Sequence, residues 1–220
     1  MLMPEISPRE AERLVSSVPV WHHRFEIAPG VITPGNHDPA FLVEKMALPE
    51  NLSGLSVLDI GASDGFFSLH LRRRGARVVA VDYRAKHAHG FGVMEQISGL
   101  EFEYYQKNLY EITRDELGAF DVVLFFGILY HFPDMIKALS LVPTVCDGQM
   151  FLETDCANEV AQEFAFARYY RGSSLNNDIT NFWSPNALCL RDMLYDRGFD
   201  VSRMDTWADR CFAACTPAPG

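Results

Sequence analysis

Two acids and two glycines crowd into the short stretch Asp59-Ile60-Gly61-Ala62-Ser63-Asp64-Gly65. Gly61 and Gly65 remove side chains where backbone must pass close to a ligand, and a helix opening near Asp64 offers unpaired N–H groups. A pyrophosphate dinucleotide asks for G-x-G-x-x-G, whose middle glycine lets the phosphates approach the helix N-terminus; Ser63 stands at that place here. The charges of Asp59 and Asp64 suit an amine or a sulfonium better than a pyrophosphate. Asp82 follows Asp59 by 23 residues, the spacing at which an acid reaches the ribose hydroxyls of an adenosine, and Tyr83 beside it is placed to pack on adenine. The chemistry indicated is the binding of an adenosine cofactor with positive charge and no phosphate. An NAD-dependent oxidoreductase is the competing reading from another class.

The elements that must position these residues follow from hydrophobic periodicity. Val57-Leu58-Asp59-Ile60 reads as a strand, Phe66 to Arg74 as a helix with a basic last turn, and Arg77 to Asp82 as a second strand. A helical region near Lys86 to Ile97, a strand from Glu101 to Tyr105 and the very apolar strand Asp121 to Phe126 come next. A helix from Asp134 to Val145 leads to the strand Gln149 to Thr154, and Ser184-Pro185 is expected to open a helix that stops at Gly198. Val201 to Trp207 and Cys211 to Cys215 predict a closing hairpin. Continuous rather than alternating apolar runs mean burial on both faces. The expected fold is therefore α/β, a doubly wound, mostly parallel, seven-stranded Rossmann-like sheet with a C-terminal antiparallel hairpin. Residues 1–50 predict a helical N-terminal appendage or lid, with a short polar helix around Pro8 to Ser17 and a second from Asp38 to Met46. Residues 51–220 predict the main domain, carrying an aromatic-rich insertion over 156–183.

With these motifs in place, Val57-Leu58-Asp59-Ile60-Gly61-Ala62-Ser63-Asp64-Gly65-Phe66-Phe67-Ser68 resembles the first motif of class I S-adenosylmethionine-dependent methyltransferases, and Val81-Asp82 the second-strand acid. The resemblance runs from about residue 55 to the C-terminus. It implies that Asn108-Leu109 borders the adenine and that Phe126-Gly127, at the fourth-strand end, contacts the methionine part. Within the superfamily, Trp21-His22, Thr33-Pro34-Gly35, Gly127 to His131, Glu153-Thr154 and Phe182 to Pro185 together resemble the tRNA wobble-uridine 5-carboxymethyltransferases. Those enzymes use carboxy-S-adenosylmethionine, and the likeness implies that Tyr130 and Arg210 stand where they hold the extra carboxylate. The long basic N-terminal region of those enzymes is missing here. The chain is therefore read as a shortened relative that uses ordinary S-adenosylmethionine on a small-molecule acceptor, with the wobble-uridine enzyme as the alternative.

Methyl transfer to a hydroxyl or ammonium requires alignment and removal of a proton. His131, directly after the fourth strand, is the first candidate base, because imidazole titrates near operating pH. His22 and His23 come next, on an appendage able to fold over the site, and Tyr130 completes the catalytic candidates. In the insertion, Tyr169 and Trp183 are candidates to wall an apolar or planar acceptor, with Arg168 or Arg171 able to hold a carboxylate; the resemblance adds Arg210 as a substrate candidate. His22, His23, His37 and His131 show no helical ligand spacing, so no metal is expected.

Composition narrows the classes further. A formal charge of −10 opposes a long nucleic acid. Five scattered cysteines without a CxxC pair suggest neither a disulfide framework nor a zinc site. No run of about 18 apolar residues occurs, and Met1 to Glu12 lacks the basic-then-apolar pattern of a signal peptide, so a soluble cytoplasmic protein with no membrane partner is expected. Oligomeric state is left open by every feature of the sequence.

Overall fold

A computed structural model describes residues 6–219. Its contacts group residues up to Asn108 in one compact unit and those from Leu109 in a second. The first unit contains α1 (Pro8–Ser17), β1 (Glu26–Ala28), β2 (Val31–Ile32), α2 (Ala40–Met46), β3 (Ser56–Ile60), α3 (Phe66–Arg73), β4 (Arg77–Asp82), α4 (Phe91–Ser98) and β5 (Glu103–Gln106). The second contains α5 (Arg114–Leu117), β6 (Phe120–Phe126), α6 (Met135–Val145), β7 (Cys146–Asp155), β8 (Ala167–Tyr169), β9 (Trp183–Pro185), α7 (Ala187–Asp196), β10 (Phe199–Trp207) and β11 (Arg210–Pro217). The main sheet has seven strands in the order β10-β11-β7-β6-β3-β4-β5. It is the expected doubly wound sheet with a C-terminal antiparallel hairpin.

In the first unit β3 pairs parallel with β4, and β4 with β5. Val57 to Ile60 and Val78 to Asp82 are buried throughout, which explains their continuous apolar character. This register aligns Ile60 with Val81 and Asp82 with Gln106, so the glycine loop leaves β3 beside the end of β4. Helix α3 buries Phe66, Phe67, Leu69 and Leu71 and ends in the basic turn His70, Arg72 and Arg73, which suits the negative end of its dipole. Helix α1 has an amphipathic pattern, capped by Ser7 and burying Ala11, Leu14 and Val15.

In the second unit β6 and β7 run parallel, aligning Phe126 with Glu153, and β11 pairs antiparallel with β7, aligning Arg210 with Asp155. Two local expectations need correction. Ser184 and Pro185 do not open a helix: they lie in β9, which pairs antiparallel with β8, and Asn186 caps α7 by accepting a 2.9 Å bond from the Cys189 N–H. The aromatic stretch 163–183 runs through β8, turns and the start of β9. The helix expected from Lys86 begins only at Phe91, after Gly90, where a Cβ would lie 2.2 Å from the Trp21 ring.

The appendage includes a small hairpin and a knitted turn as well as helices. The Thr33 hydroxyl accepts from Phe25 N–H at 2.9 Å and donates to the His23 carbonyl at 2.7 Å. Arg24 N–H donates to the His37 carbonyl at 2.7 Å, closing residues 22–37 on themselves. Gly35 is required at their crossing, since a Cβ there would stand 2.2 Å from the His23 carbonyl carbon and oxygen. Gly35→Ala must displace main chain, so its unfolding free energy in a urea titration is expected to fall by about 1–3 kcal/mol. A midpoint equal to the parent's would show that the turn is not so packed.

Candidate cofactor loop and acceptor wall

In the first unit the loop 59–65 is held in a shape that most residues avoid. Gly61 has φ +79°, Ser63 φ +51° and Gly65 φ +84°. Gly61 and Ala62 N–H both donate to the Val81 carbonyl, at 2.8 and 3.2 Å. Ser63, the non-glycine in the left-handed region, is retained because its N–H donates to Asp82 Oδ2 at 2.9 Å. The other oxygen of Asp82 accepts from Arg84 N–H at 2.9 Å. Asp82 is thus a buried carboxylate, only 4% exposed, with one backbone donor on each oxygen and further lone pairs to offer a diol. Tyr83 is 61% exposed, with the Arg84 guanidinium 4.5 Å from its ring centroid, and Asn108 lies exposed beyond β5.

The carboxylates of the other two acids of the loop are bonded within the protein. Asp59 is buried and accepts a 2.6 Å bond from the Ser68 hydroxyl; loss of water lifts its carboxyl from 3.8 to about 6. Asp64 is completely buried and accepts from His22 N–H at 2.9 Å and His23 N–H at 2.7 Å, with His23 Nδ1 at 2.6 Å from its second oxygen. Burial would raise the Asp64 pKa, but these His23 contacts outweigh it and hold the carboxyl below its usual value. Both acids expected to attract a sulfonium thus have protein donors on their oxygens. His22 packs against the rings of His23 and His37, each 4.6 Å away between centroids. Although part of the ring is open to solvent, loss of water on its packed side, the neighbouring imidazoles and Arg84 all push its pKa down. His22 is neutral at physiological pH.

In the second unit the carboxyl ends of β6 and β7 carry a denser polar group. Gly127 has φ +66° and its N–H donates to the Glu153 carbonyl at 2.9 Å, next to buried Phe126. Leu109, also buried, opens a short helical turn at the start of the unit. Arg210 forms a bidentate pair with Glu153, Nε to Oε1 and Nη2 to Oε2, the latter at 2.7 Å. Its guanidinium also lies 5.1 Å from the Tyr130 ring centroid and 4.0 Å from Asp155. Burial opposes the Arg210 charge, but Glu153 more than offsets it and holds the pKa above the ordinary value. Burial likewise raises the Tyr130 phenol, even against Arg210, which keeps it protonated. Asp155 accepts from the Ser184 hydroxyl.

The insertion returns over residues 127–133 through three bonds. Phe182 N–H donates to the Tyr130 carbonyl at 2.8 Å, Trp183 Nε1 to the Pro133 carbonyl at 3.0 Å, and His131 Nδ1 lies 2.9 Å from Thr180 Oγ1. Thr180 donates its hydroxyl hydrogen to Asp178 at 2.7 Å, so toward His131 it can only accept. That assigns the proton of neutral His131 to Nδ1 and its lone pair to Nε2. Tyr169, 58% exposed, meets Trp183 edge-on at 4.9 Å. Arg168 is paired with Glu159 at 2.6 Å. Asp155 was missed in the sequence, and Glu153 and Ser68 stand there only within motifs, without a role. Acids inside the apolar run Met150 to Cys156 were the available signal for Glu153 and Asp155; no spacing rule pairs Ser68 with Asp59.

A family model described as a methyltransferase domain matches residues 21–203. The chain belongs to this methyltransferase-domain family. A ubiquinone biosynthesis O-methyltransferase of Hahella chejuensis (strain KCTC 2396) is 30% identical over 132 residues, 58% of this chain and 52% of that protein. One of Xanthomonas campestris pv. campestris (strain B100) is 23% identical over 199 residues, 81% of each chain. In the shorter alignments, of higher identity, the chain spans about half the length of the curated relatives it matches. Among solved structures, the N-terminal domain of EvdMO1 with SAH bound superposes with a TM-score of 0.70 at 18% identity, covering 97% of this chain and 98% of that one. Magnesium protoporphyrin IX methyltransferase of Synechocystis PCC 6803 with bound SAM gives 0.58 at 18%, covering 81% and 76%. These likenesses establish the fold. The finer kinship with wobble-uridine enzymes finds no support in the relatives named here. Among the described residues no group of three or more His, Cys, Asp or Glu gathers to hold a metal, and no helix is long and apolar enough to cross a membrane.

The raised carboxyl of Asp59 has a pH signature. A group whose folded pKa exceeds its unfolded one stabilises below the unfolded value, and this contribution is lost as pH rises through the folded value. The displacement from 3.8 to about 6 corresponds to roughly 3 kcal/mol. Asp59→Asn is expected to gain stability relative to the parent by up to about that amount between pH 4 and pH 7, read as the difference between two denaturant titrations. A difference flat across that window would show that Asp59 ionises as in water.

Proposed function

We propose that this chain is an S-adenosylmethionine-dependent methyltransferase acting on an oxygen or nitrogen of a small-molecule acceptor. The carrying observation is the Asp82 carboxylate, which holds Ser63 in a left-handed loop and still offers acceptor lone pairs for a ribose diol. The loop residues Gly61, Ala62, Ser63 and Gly65 bring main chain, not side chain, to the ligand, while Asp59 and Asp64 support them from behind. Tyr83 and Asn108 are assigned to the adenine. Leu109, Phe126 and Gly127 are assigned to the cofactor on the family resemblance alone. When bound, the cofactor supplies an activated methyl on a sulfonium.

In the second unit Tyr169 and Trp183 form the acceptor wall, and His131 accepts the proton of the acceptor hydroxyl or ammonium at Nε2. Thr180 sets the ring for that task. Tyr130 is a protonated hydrogen-bonding group rather than a base. Arg210 and Arg168 are both engaged by carboxylates, Glu153 and Glu159, which favours ordinary S-adenosylmethionine over its carboxylated form. His22, neutral and beside the loop, is the second base candidate. The net charge of −10 supports a small acceptor over RNA, and the O-methyltransferase names of the relatives agree with oxygen as its atom.

Thermal shifts with S-adenosylmethionine, S-adenosylhomocysteine and NAD, each added separately, test the cofactor, since a ligand of the folded state raises the midpoint with its concentration. Stabilisation by NAD alone would overturn the reading. Asp82→Ala should weaken S-adenosylhomocysteine binding by about tenfold or more in calorimetry, whereas His131→Ala should lower kcat about 100-fold with binding nearly intact. Equal losses of binding in both would remove His131 from the base role.

A further inference from the structure

Asp64 sits in the loop assigned to the cofactor, yet its carboxylate bonds run to the N-terminal segment. Both of its oxygens are occupied, Oδ2 by His22 and His23 N–H at 2.9 and 2.7 Å, and Oδ1 by His23 Nδ1 at 2.6 Å. A carboxylate removed from water costs several kcal/mol unless it is given such donors, so the loop reaches its observed place only with the segment attached. The attachment is stiff on both sides. On the segment, Thr33 and His37 tie residues 22–37 together, and Trp21 packs on Gly90 while its Nε1 donates to the Val15 carbonyl at 3.0 Å. On the loop, Asp64 is covalently next to Ser63, whose N–H is held by Asp82. A shift of Asp64 therefore pulls directly on the left-handed residue that faces the ribose acid.

We propose that Asp64 and His23 form a positioning latch, a buried carboxylate–imidazole pair that fixes residues 21–37 on the glycine loop and keeps the loop in its cofactor-receiving shape. The latch rests on the function proposed above only for the identity of the ligand. It also carries His22 to the loop, with its ring against His37. Neither Asp64 nor His23 touches the cofactor; both act through Ser63 and Asp82.

Three variants test it. Asp64→Asn cannot accept from both backbone N–H groups and the ring as the carboxylate does. His23→Phe keeps the ring volume and loses the Nδ1 bond. His23→Asn places an amide nitrogen near the Nδ1 position. Asp64→Asn and His23→Phe are expected to raise the KM for S-adenosylmethionine and the Kd for S-adenosylhomocysteine about tenfold, with kcat at saturating cofactor falling less than about threefold. His23→Asn should return to within about threefold of the parent. Limited proteolysis within residues 21–37 should quicken in the first two variants and not in the third. Unchanged Kd and cleavage in His23→Phe, or equal loss in His23→Phe and His23→Asn, overturns the latch; the His23 pair decides even if Asp64→Asn does not fold. If the parent binds no S-adenosylhomocysteine, the functional reading fails while the proteolysis comparison still judges the latch.

Discussion

A carboxylate buried at the end of a parallel strand must be supplied with hydrogen-bond donors, and the first unit is organised around three that meet this demand differently. Asp59, at the end of β3, takes a hydroxyl from Ser68 one turn into α3. Asp82, at the end of β4, takes the Ser63 and Arg84 amides and thereby moulds the loop. Asp64 takes its donors from a segment more than forty residues earlier, His22 and His23. Each bond joins two elements that the main chain alone does not hold together. Loop shape, helix start and appendage are in this way consequences of satisfying three negative charges.

The second unit solves the inverse problem around a cation. Arg210 on β11 lies among Glu153 and Asp155 on β7, with Tyr130 over its face. The antiparallel register that aligns Arg210 with Asp155 creates this cluster. A buried ion pair of this kind contributes little net stability against an apolar replacement, but removing one partner strands the other. Its effect is geometric: it fixes Tyr130, whose carbonyl takes the Phe182 N–H, and so fixes where the insertion crosses the loop that ends in His131. The proton assignment of His131 then follows from the Thr180–Asp178 bond at the far end of the insertion.

Much of the frame was legible in the residues. Val57 to Ile60, Arg77 to Asp82 and Asp121 to Phe126 are continuous apolar runs, and such runs are buried on both faces whatever surrounds them. The terminal hairpin and the helix Asp134 to Val145 were legible for similar reasons, since Asp134 is a strong cap and the periodicity is unbroken. Ser184-Pro185 misled because serine and proline carry the signature of a helix start, while the pairing of β9 with β8 is a tertiary contact that overrode it. The helix expected near Lys86 to Ile97 is present but starts later, at Phe91, next to Gly90, on which Trp21, far away in sequence, packs.

What the sequence by itself determined is the parallel α/β frame, the glycine loop and the placement of Asp82 at a strand end, because apolar periodicity and glycine spacing are local signals that need no partner. What only the tertiary structure decided is where each charged group points. Asp64 reads in the sequence as an acid beside a cation, and in the fold its donors come from residues 41 and 42 positions away. Arg210 looked available to a carboxylate and is held by Glu153, 57 residues away. The direction of a buried charge is set by whichever donors or acceptors the fold brings within hydrogen-bond reach, and that is a property of the packed chain rather than of any stretch of it.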